Sequence, residues 1–210
     1  MTIFGAHSPA GKGQRRHKLL LTHRGTVLME TSRLLLRPFR VEDAETMFRN
    51  WAGDPRVTRY LLWRAHQTVD ETRSVLEYWQ RQYSRKDFYE WGIVLKDSGQ
   101  LIGSVGATKA AGHQCLEVGY CIGYPWWGRG ICPEALYRVM DFFFCEVGCR
   151  QLIAMHAIEN PSSGRVMEKC GMVRRPGDSV PVSTENGLYN CRVYEMTRQQ
   201  FELQGCSLAK

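Results

Sequence analysis

Apolar positions in the first half of the chain follow two different periods. Spacings of three and four residues predict helices at 42–51 and 69–83. Short or alternating apolar runs predict strands at 34–36, 89–95, 101–108 and 116–122. The turn Asp97-Ser98-Gly99 joins two of these strands as a hairpin.

The second half continues the alternation of helices and strands. A helix is predicted from Pro133 until Gly148 ends it, followed by a strand at 152–157. Asn160-Pro161 opens a short helix that Gly171 closes, and a last hairpin has its final strand near 192–196. With no internal repeat, the pattern predicts one α+β domain. Its central sheet has six to seven mostly antiparallel strands, with helices on both faces.

Positive charge is concentrated at the N-terminus. The net charge is +7, and residues 1–28 contain five basic side chains and no acid, which leaves +2 for the rest of the chain. We therefore expect a basic, disordered tail at 1–28, a domain at 29–204 and a short C-terminal tail at 205–210. Deletion of residues 1–28 is expected to leave the domain folded, and no specific nucleic-acid partner is expected.

The remaining bulk properties predict a cytoplasmic protein without a membrane partner. No segment approaches the roughly 18 apolar residues of a membrane span, and Leu19-Leu20-Leu21 is too short for the core of a signal peptide. The eight cysteines contain no C-x-x-C pair and the six histidines no H-x-x-x-H pair. We therefore expect no bound metal. The sequence leaves open whether the protein forms a homodimer.

The segment that follows strand 116–122 carries the first candidate chemistry. Gly128-Arg129-Gly130 lies between an apolar strand and a helix. Glycines allow a close approach of the backbone, and the N–H groups at a helix start attract anions. The neighbouring helix start, Asn160-Pro161-Ser162-Ser163, adds polar side chains. These features predict a phosphate or pyrophosphate site, with a tight turn that binds nothing as the alternative.

These residues, in this order, resemble a GNAT acetyltransferase, and within that superfamily the RimJ/RimL branch of ribosomal-protein N-terminal acetyltransferases. The matching segments are Glu30–Phe39, Glu42-Asp43-Ala44, Gly53–Val57, Glu117–Tyr120, Trp127–Gly130, Asn160–Ser163 and Glu168–Met172. The resemblance implies the GNAT (acyl-CoA N-acyltransferase) fold. It also implies transfer of an acetyl group from acetyl-CoA, as co-substrate, to a primary amine, preferentially a protein or peptide N-terminal α-amine. A small-molecule amine as acceptor, such as an antibiotic or polyamine, and a CoA sensor without catalysis are the alternatives.

The resemblance also implies which residues hold the cofactor. The CoA pyrophosphate is expected at the main-chain amides of Gly128, Arg129, Gly130, Ile131 and Cys132. The pantetheine arm is expected along Cys121, Ile122 and Gly123, with a hydrogen bond to Asn160. Ser163 is expected both to contact the cofactor and to protonate the departing thiolate. Cys132 stands where the family has Ala or Gly, and Asn160 has the alternative role of a helix cap alone.

A base must remove a proton from the acceptor amine. Glu117 is the first candidate, because it lies on the strand that enters the turn, with an acid on a solvated strand face as the alternative. Glu185 in the last hairpin is the second candidate. His156 lies in an apolar strand, which favours a core role, and Tyr120 either donates a proton to the thiolate or packs. The loop from Arg56 to His66 is rich in arginine and aromatic residues and is the candidate acceptor surface, with a solvated loop as the alternative.

Overall fold

The computed structural model describes residues 21–110 and 115–208, which form one sheet of eight strands. The strand order across the sheet is β1-β2-β3-β4-β5-β6-β8-β7. The strands are β1 (Met29–Glu30), β2 (Leu34–Arg37), β3 (Tyr89–Leu95), β4 (Leu101–Lys109), β5 (Leu116–Ile122), β6 (Gln151–Ala157), β7 (Val173–Thr184) and β8 (Gly187–Thr197). Among these pairs β5 and β6 run parallel, and the others are antiparallel.

Six α-helices accompany the sheet in the described ranges. They are α1 (Ala44–Met47), α2 (Pro55–Thr58), α3 (Val69–Gln82), α4 (Ile131–Asp141), α5 (Pro161–Lys169) and α6 (Arg198–Leu208). A 3-10 turn at Val41–Asp43 and a π-helical turn at Phe48–Ala52 extend α1, and a π-helical turn at Phe142–Val147 extends α4. None of the helices in these ranges is long and apolar enough to cross a membrane.

The helices cover both faces of the sheet. On one face α4, α5 and α6 pack on alternate strand residues such as Trp91, Val105 and Val118. On the other face α1 and α3 pack on Val94, Leu101 and Cys121. Each strand therefore presents every second residue to a different helical layer, as the period-two pattern predicts. The predicted fold class, with helices on both faces, is confirmed.

The strand count is higher than the six to seven predicted. Two strands are difficult to predict from the local sequence. Strand β1 has two residues, and β7 contains Pro176, Gly177 and Pro181, a composition typical of a loop. The β7–β8 pairing shifts register between Arg174 and Ser179, which accommodates that segment as an irregularity within the strand.

The domain also extends beyond both predicted boundaries. Residues 21–28, predicted as part of the tail, lie along β3. The Trp91 indole donates to Val27 O at 2.6 Å, and Thr26 Oγ1 donates to Phe88 O at 2.9 Å. At the C-terminus, α6 continues to Leu208 and buries Phe201 in the core. The expectation that residues 1–28 are dispensable stays a prediction, and these contacts argue against it for 21–28. Residues 1–20 lie outside the described ranges.

Candidate active site

The sheet opens between β5 and β6. The two strands pair in parallel at Leu116↔Leu152 and Glu117↔Ile153, and in the described structure the remainder of β5 has no register partner on β6. Gly123 N–H donates to Ile102 O on β4 at 2.8 Å. Because N–H and C=O groups alternate sides along a strand, Cys121 and Gly123 direct theirs to β4, whereas Tyr120 and Ile122 direct theirs into the opening.

This alternation changes the predicted pantetheine contacts. Of Cys121, Ile122 and Gly123, Ile122 alone presents main-chain groups to the opening, and Tyr120, which the prediction did not include, joins it. The Ile122 carbonyl accepts a hydrogen bond from the Trp127 indole at 2.7 Å. The Tyr120 main chain at the open edge is thus placed to accept an added strand or an extended ligand.

The turn after β5 has a backbone that only glycines adopt readily. Gly128 has φ 77° and Gly130 has φ 72°, both in the left-handed region. A Cβ at Gly128 would meet nothing within 4 Å, so this glycine faces open space. Gly130 is the N-cap of α4, which begins at Ile131, two residues before the predicted start at Pro133. The N–H groups of Ile131 and Cys132 therefore lie in the first turn of an 11-residue helix, where anions bind favourably.

Arg33 holds the turn from behind. Its Nη1 donates to Arg129 O at 3.1 Å and its Nη2 to Gly130 O at 3.2 Å. Glu134 in α4 forms an ion pair with Arg33 at 2.6 Å. Burial opposes ionisation of Glu134, but hydrogen bonds from Thr31 and Arg33 outweigh it and lower the pKa of this carboxyl. Sequence reasoning assigned no role to Arg33, because its partners are about a hundred residues away.

Cys132, the irregularity of the turn, is partly buried against the core. Burial raises the pKa of its thiol far above the ordinary value, which keeps the sulfur protonated. The thiol therefore acts here as a small packing group.

Asn160 and Ser163 lie at the start of α5, across the opening from β5. Ser163 N–H donates to Asn160 Oδ1 at 3.4 Å, so Asn160 caps the helix. The Tyr120 hydroxyl donates to Ser163 O at 2.7 Å and lies 3.0 Å from Ser163 Oγ. Since a phenol has one proton and a carbonyl oxygen only accepts, the Ser163 hydroxyl donates to the Tyr120 oxygen. Tyr120 thus holds a serine proton donor at the opening.

Glu117 lies where β5 separates from β6. Glu117 is 8% exposed, and it forms no ion pair with another described residue. Burial raises the pKa of this carboxyl to about 7, which suits a group that accepts a proton near neutral pH.

The two alternative bases occupy different surroundings. Glu185 is exposed at the β7–β8 turn and accepts from Arg64 N–H at 3.4 Å. His156 is buried against α5, donates through Nδ1 to Ala157 O at 2.7 Å, and has a pKa lowered by burial. His156 is therefore a neutral packing residue, and its Nε2 faces Gly164, where a Cβ would lie 2.7 Å away.

The loop from Arg56 to His66 presents fewer cations than its sequence indicates. Arg56 forms an ion pair with Asp54 at 2.6 Å and stacks over the Tyr124 ring at 4.1 Å. His66 lies 2.8 Å from Thr72 Oγ1, and burial lowers the pKa of its ring. Asn186 from the β7–β8 turn donates through Nδ2 to the carbonyls of Thr58, Leu61 and Trp63. This contact joins the loop to the hairpin above the face that carries Glu117.

A second buried acid, Glu90 on β3, was missed by sequence reasoning. It is 3% exposed, and burial raises the pKa of its carboxyl to about 8. Its Oε1 has no hydrogen-bond partner. The local sequence indicates this buried acid only through the presence of a glutamate inside the apolar run Tyr89–Leu95.

No group of three or more His, Cys, Asp and Glu side chains in the described ranges is arranged to hold a metal ion. The polar groups around the opening are instead those of an acid–base site: a buried carboxyl, a serine held by a tyrosine, and a helix start.

Comparison with known proteins gives the family. A model described as an acetyltransferase (GNAT) domain matches residues 33–173, more than half of the chain. The chain therefore belongs to the GNAT acetyltransferase family, and it is an N-acetyltransferase.

Particular relatives agree with this assignment. The uncharacterized N-acetyltransferase YoaA of Bacillus subtilis (strain 168) is 29% identical over 173 residues, which cover 81% of this chain and 97% of YoaA. A GNAT-family acetyltransferase structure from Bacillus anthracis has a TM-score of 0.70 at 23% identity, with 82% of this chain and 99% of that chain covered. The ribosomal-protein-S5-alanine acetyltransferase from Vibrio fischeri has a TM-score of 0.70 at 17% identity, with 83% and 98% covered. At these identities the two structures show a shared fold.

Proposed function

We propose that this enzyme transfers the acetyl group of acetyl-CoA directly to a primary amine, with Glu117 as the general base. The observation that carries the proposal is the position of Glu117: a buried carboxyl without an ion-pair partner in the described structure, at the point where β5 leaves β6. An ammonium group has no lone pair, so the acceptor must lose a proton before it attacks the thioester.

The turn and the open edge of β5 suit acetyl-CoA. The amides of Gly128, Arg129, Gly130, Ile131 and Cys132 would bind the pyrophosphate, because they surround the start of α4 and Gly128 faces open space. The main-chain groups of Tyr120 and Ile122 would bind the pantetheine arm. When bound, acetyl-CoA supplies the thioester, whose cleavage leaves a thiolate.

Ser163 is the proposed proton donor to that thiolate. Before reaction the Ser163 hydroxyl donates a hydrogen bond to the Tyr120 oxygen, which fixes the position of Ser163 Oγ at the opening. Asn160 caps α5, which fixes the position of Ser163. In this proposal Glu117 receives the proton of the amine and later releases it to solvent, while Ser163 gives its proton to sulfur and regains one from solvent. No covalent enzyme intermediate forms.

For the acceptor, we propose a protein or peptide N-terminal α-amine. The resemblance to the RimJ/RimL branch supports it, and so does the fold shared with the ribosomal-protein-S5-alanine acetyltransferase. A small-molecule amine is the second candidate. The contact of Asn186 with three carbonyls of the loop favours it, because that contact ties the candidate acceptor loop to the β7–β8 turn and so suits a compact acceptor.

The test is release of free thiol from acetyl-CoA in the presence of N-terminal peptides or small amines, with the acetylated product identified by mass spectrometry. Turnover of peptides supports the first acceptor class, and turnover of small amines alone supports the second. Binding of acetyl-CoA without transfer to either class would overturn the catalytic proposal and leave a CoA sensor.

A further inference from the structure

Two buried acids lie on one face of the sheet, over a floor of glycines. The register places Glu90 on β3 beside Gly106 on β4, and Gly106 beside Gly119 on β5. Side chains at paired positions share a face, and so do residues two apart along a strand. Glu117 is two residues from Gly119, so it lies on the same face as Glu90. Between them this face carries Gly106 and Gly119, with Thr108 directly beside Glu117.

The Glu90 carboxyl extends over that floor. A Cβ at Gly106 would overlap Glu90 Oε2, so the carboxyl lies over Gly106 on β4, the strand between β3 and β5. Ser104 on β4 lies close enough to oppose the rise in the pKa of this carboxyl, and its Oγ is 3.3 Å from Cys121 Sγ. The other oxygen, Oε1, has no partner, and neither has Thr108 Oγ1, which is buried at the position paired with Glu117.

The carboxyl groups of Glu90 and Glu117 both lack a positively charged partner in the described structure. Carboxylate oxygens accept hydrogen bonds, and buried acceptors are normally satisfied. Neither Glu90 nor Glu117 forms an ion pair with another described residue, and burial raises the pKa of both. A ligand that brings positive charge and several N–H donors would satisfy both groups.

The spacing of the two acids selects the ligand further. Strands lie about 4.8 Å apart and residues rise about 3.4 Å, so the Glu90 and Glu117 Cα atoms are about 12 Å apart. Because the Glu90 side chain already spans one strand spacing, the gap between the carboxyls is of the order of 5–8 Å. Two amino groups joined by a chain of a few carbons have a similar separation.

On the basis of the proposed acetyl transfer, we propose that Glu90 is a second subsite for the acceptor. It binds a second ammonium group of a molecule whose reacting amine lies at Glu117, and the Glu90 carboxyl releases its proton to solvent when that ammonium group binds. The acceptor class is a compact dication, which has two sources: a short diamine, or a peptide that begins with lysine.

The test compares acceptors that differ in the second charge alone. The pairs are 1,4-diaminobutane with butylamine, and a lysine-first peptide with the same peptide that begins with norleucine. The wild-type enzyme is expected to prefer the dication by at least about tenfold in kcat/KM. Glu90→Gln is expected to abolish the preference through KM, with little change in kcat. The pair that shows the preference identifies the source.

Glu77→Gln is the matched control, because it removes an exposed acid on α3, away from the proposed site, and should keep the preference. Equal kcat/KM for both members of each pair in the wild type, or equal losses for both in Glu90→Gln, would overturn the second subsite.

A thermal shift assay tests the subsite without turnover. The diamine should raise the Tm of the wild type more than butylamine does, and the difference should vanish in Glu90→Gln. If no amine is acetylated but this difference is present, the proposed reaction fails and the subsite stands. If amines are acetylated and the difference is absent, the subsite fails and the reaction stands.

Discussion

The two ends of β5 present polar groups that are satisfied in different ways. At the C-terminal end, the carbonyls of Arg129 and Gly130 accept from Arg33, and Arg33 is held by Glu134. At the other end, Glu117 and neighbouring Glu90 are buried without a cation from the described structure. The turn is therefore complete before a ligand binds, whereas the acidic face is completed by the ligand.

This difference separates binding from chemistry. A preformed turn orders little on association, so the cofactor end is built for affinity. Buried carboxyls with a raised pKa are costly to ionise, and such groups are typical of sites that transfer protons. Substitutions at the two ends should accordingly affect different measurements.

The largest effect is expected for Glu117→Gln. The variant should lose at least about 100-fold in kcat, because the amine has no base, with the affinity for acetyl-CoA unchanged. In the wild type, kcat/KM should rise as the pH rises through about 7, since the carboxyl must be ionised to accept a proton. Thiol release against pH measures both, and the rise should disappear in the variant.

Glu185→Gln is the control for that experiment, because Glu185 is exposed at the β7–β8 turn. It should keep both the rate and the pH profile. A large loss in Glu185→Gln with a normal Glu117→Gln would reverse the assignment of the base.

The next effect is expected at the other end, in Gly130→Ala. A left-handed φ of 72° should cost the variant about 1–2 kcal/mol in unfolding free energy. The distorted turn should also weaken acetyl-CoA binding about tenfold, with calorimetry as the measurement. Gly99→Ala in the β3–β4 turn has a similar φ of 67° and serves as control. It should lose stability alone, and an equal loss of affinity there would argue against a role of the turn in binding.

A smaller effect is expected for Ser163→Ala. Its kcat should fall about tenfold, because the thiolate leaves without a positioned proton donor. Ser162→Ala is the matched control, since Ser162 Oγ is exposed and accepts from Arg165 at 2.8 Å. Steady-state kinetics should show a normal rate for Ser162→Ala. Equal rates for the two variants would remove Ser163 from the reaction.

The last effect concerns the pH dependence of stability and is expressed per pH unit. Between pH 4.5 and about 8, folded Glu90 keeps a proton that the unfolded chain has released. Stability should therefore fall as the pH rises, by at most about 1.4 kcal/mol per pH unit from this group. Glu90→Gln should flatten that fall in urea unfolding at pH 5 and 8. Exposed Glu77→Gln should keep it, and an unchanged slope in Glu90→Gln would contradict the raised pKa.

The same contrast explains what could be predicted from the sequence. The strands β3 and β5 and the start of α3 follow from local periodicity, and their observed bounds match the prediction. The turn at Gly128 and Gly130 could be predicted because its left-handed backbone favours glycine at those two positions. Glu90 and Arg33 could not, since their roles depend on strand register and on partners far along the chain.

The hydrogen bond from the Trp91 indole to Val27 bears on how the gene is read. Translation that began at Met29 would give a shorter protein in which a buried indole N–H has lost its acceptor, at a cost of about 1–3 kcal/mol. Such a shortened protein would unfold more often, and cells degrade unfolded protein faster.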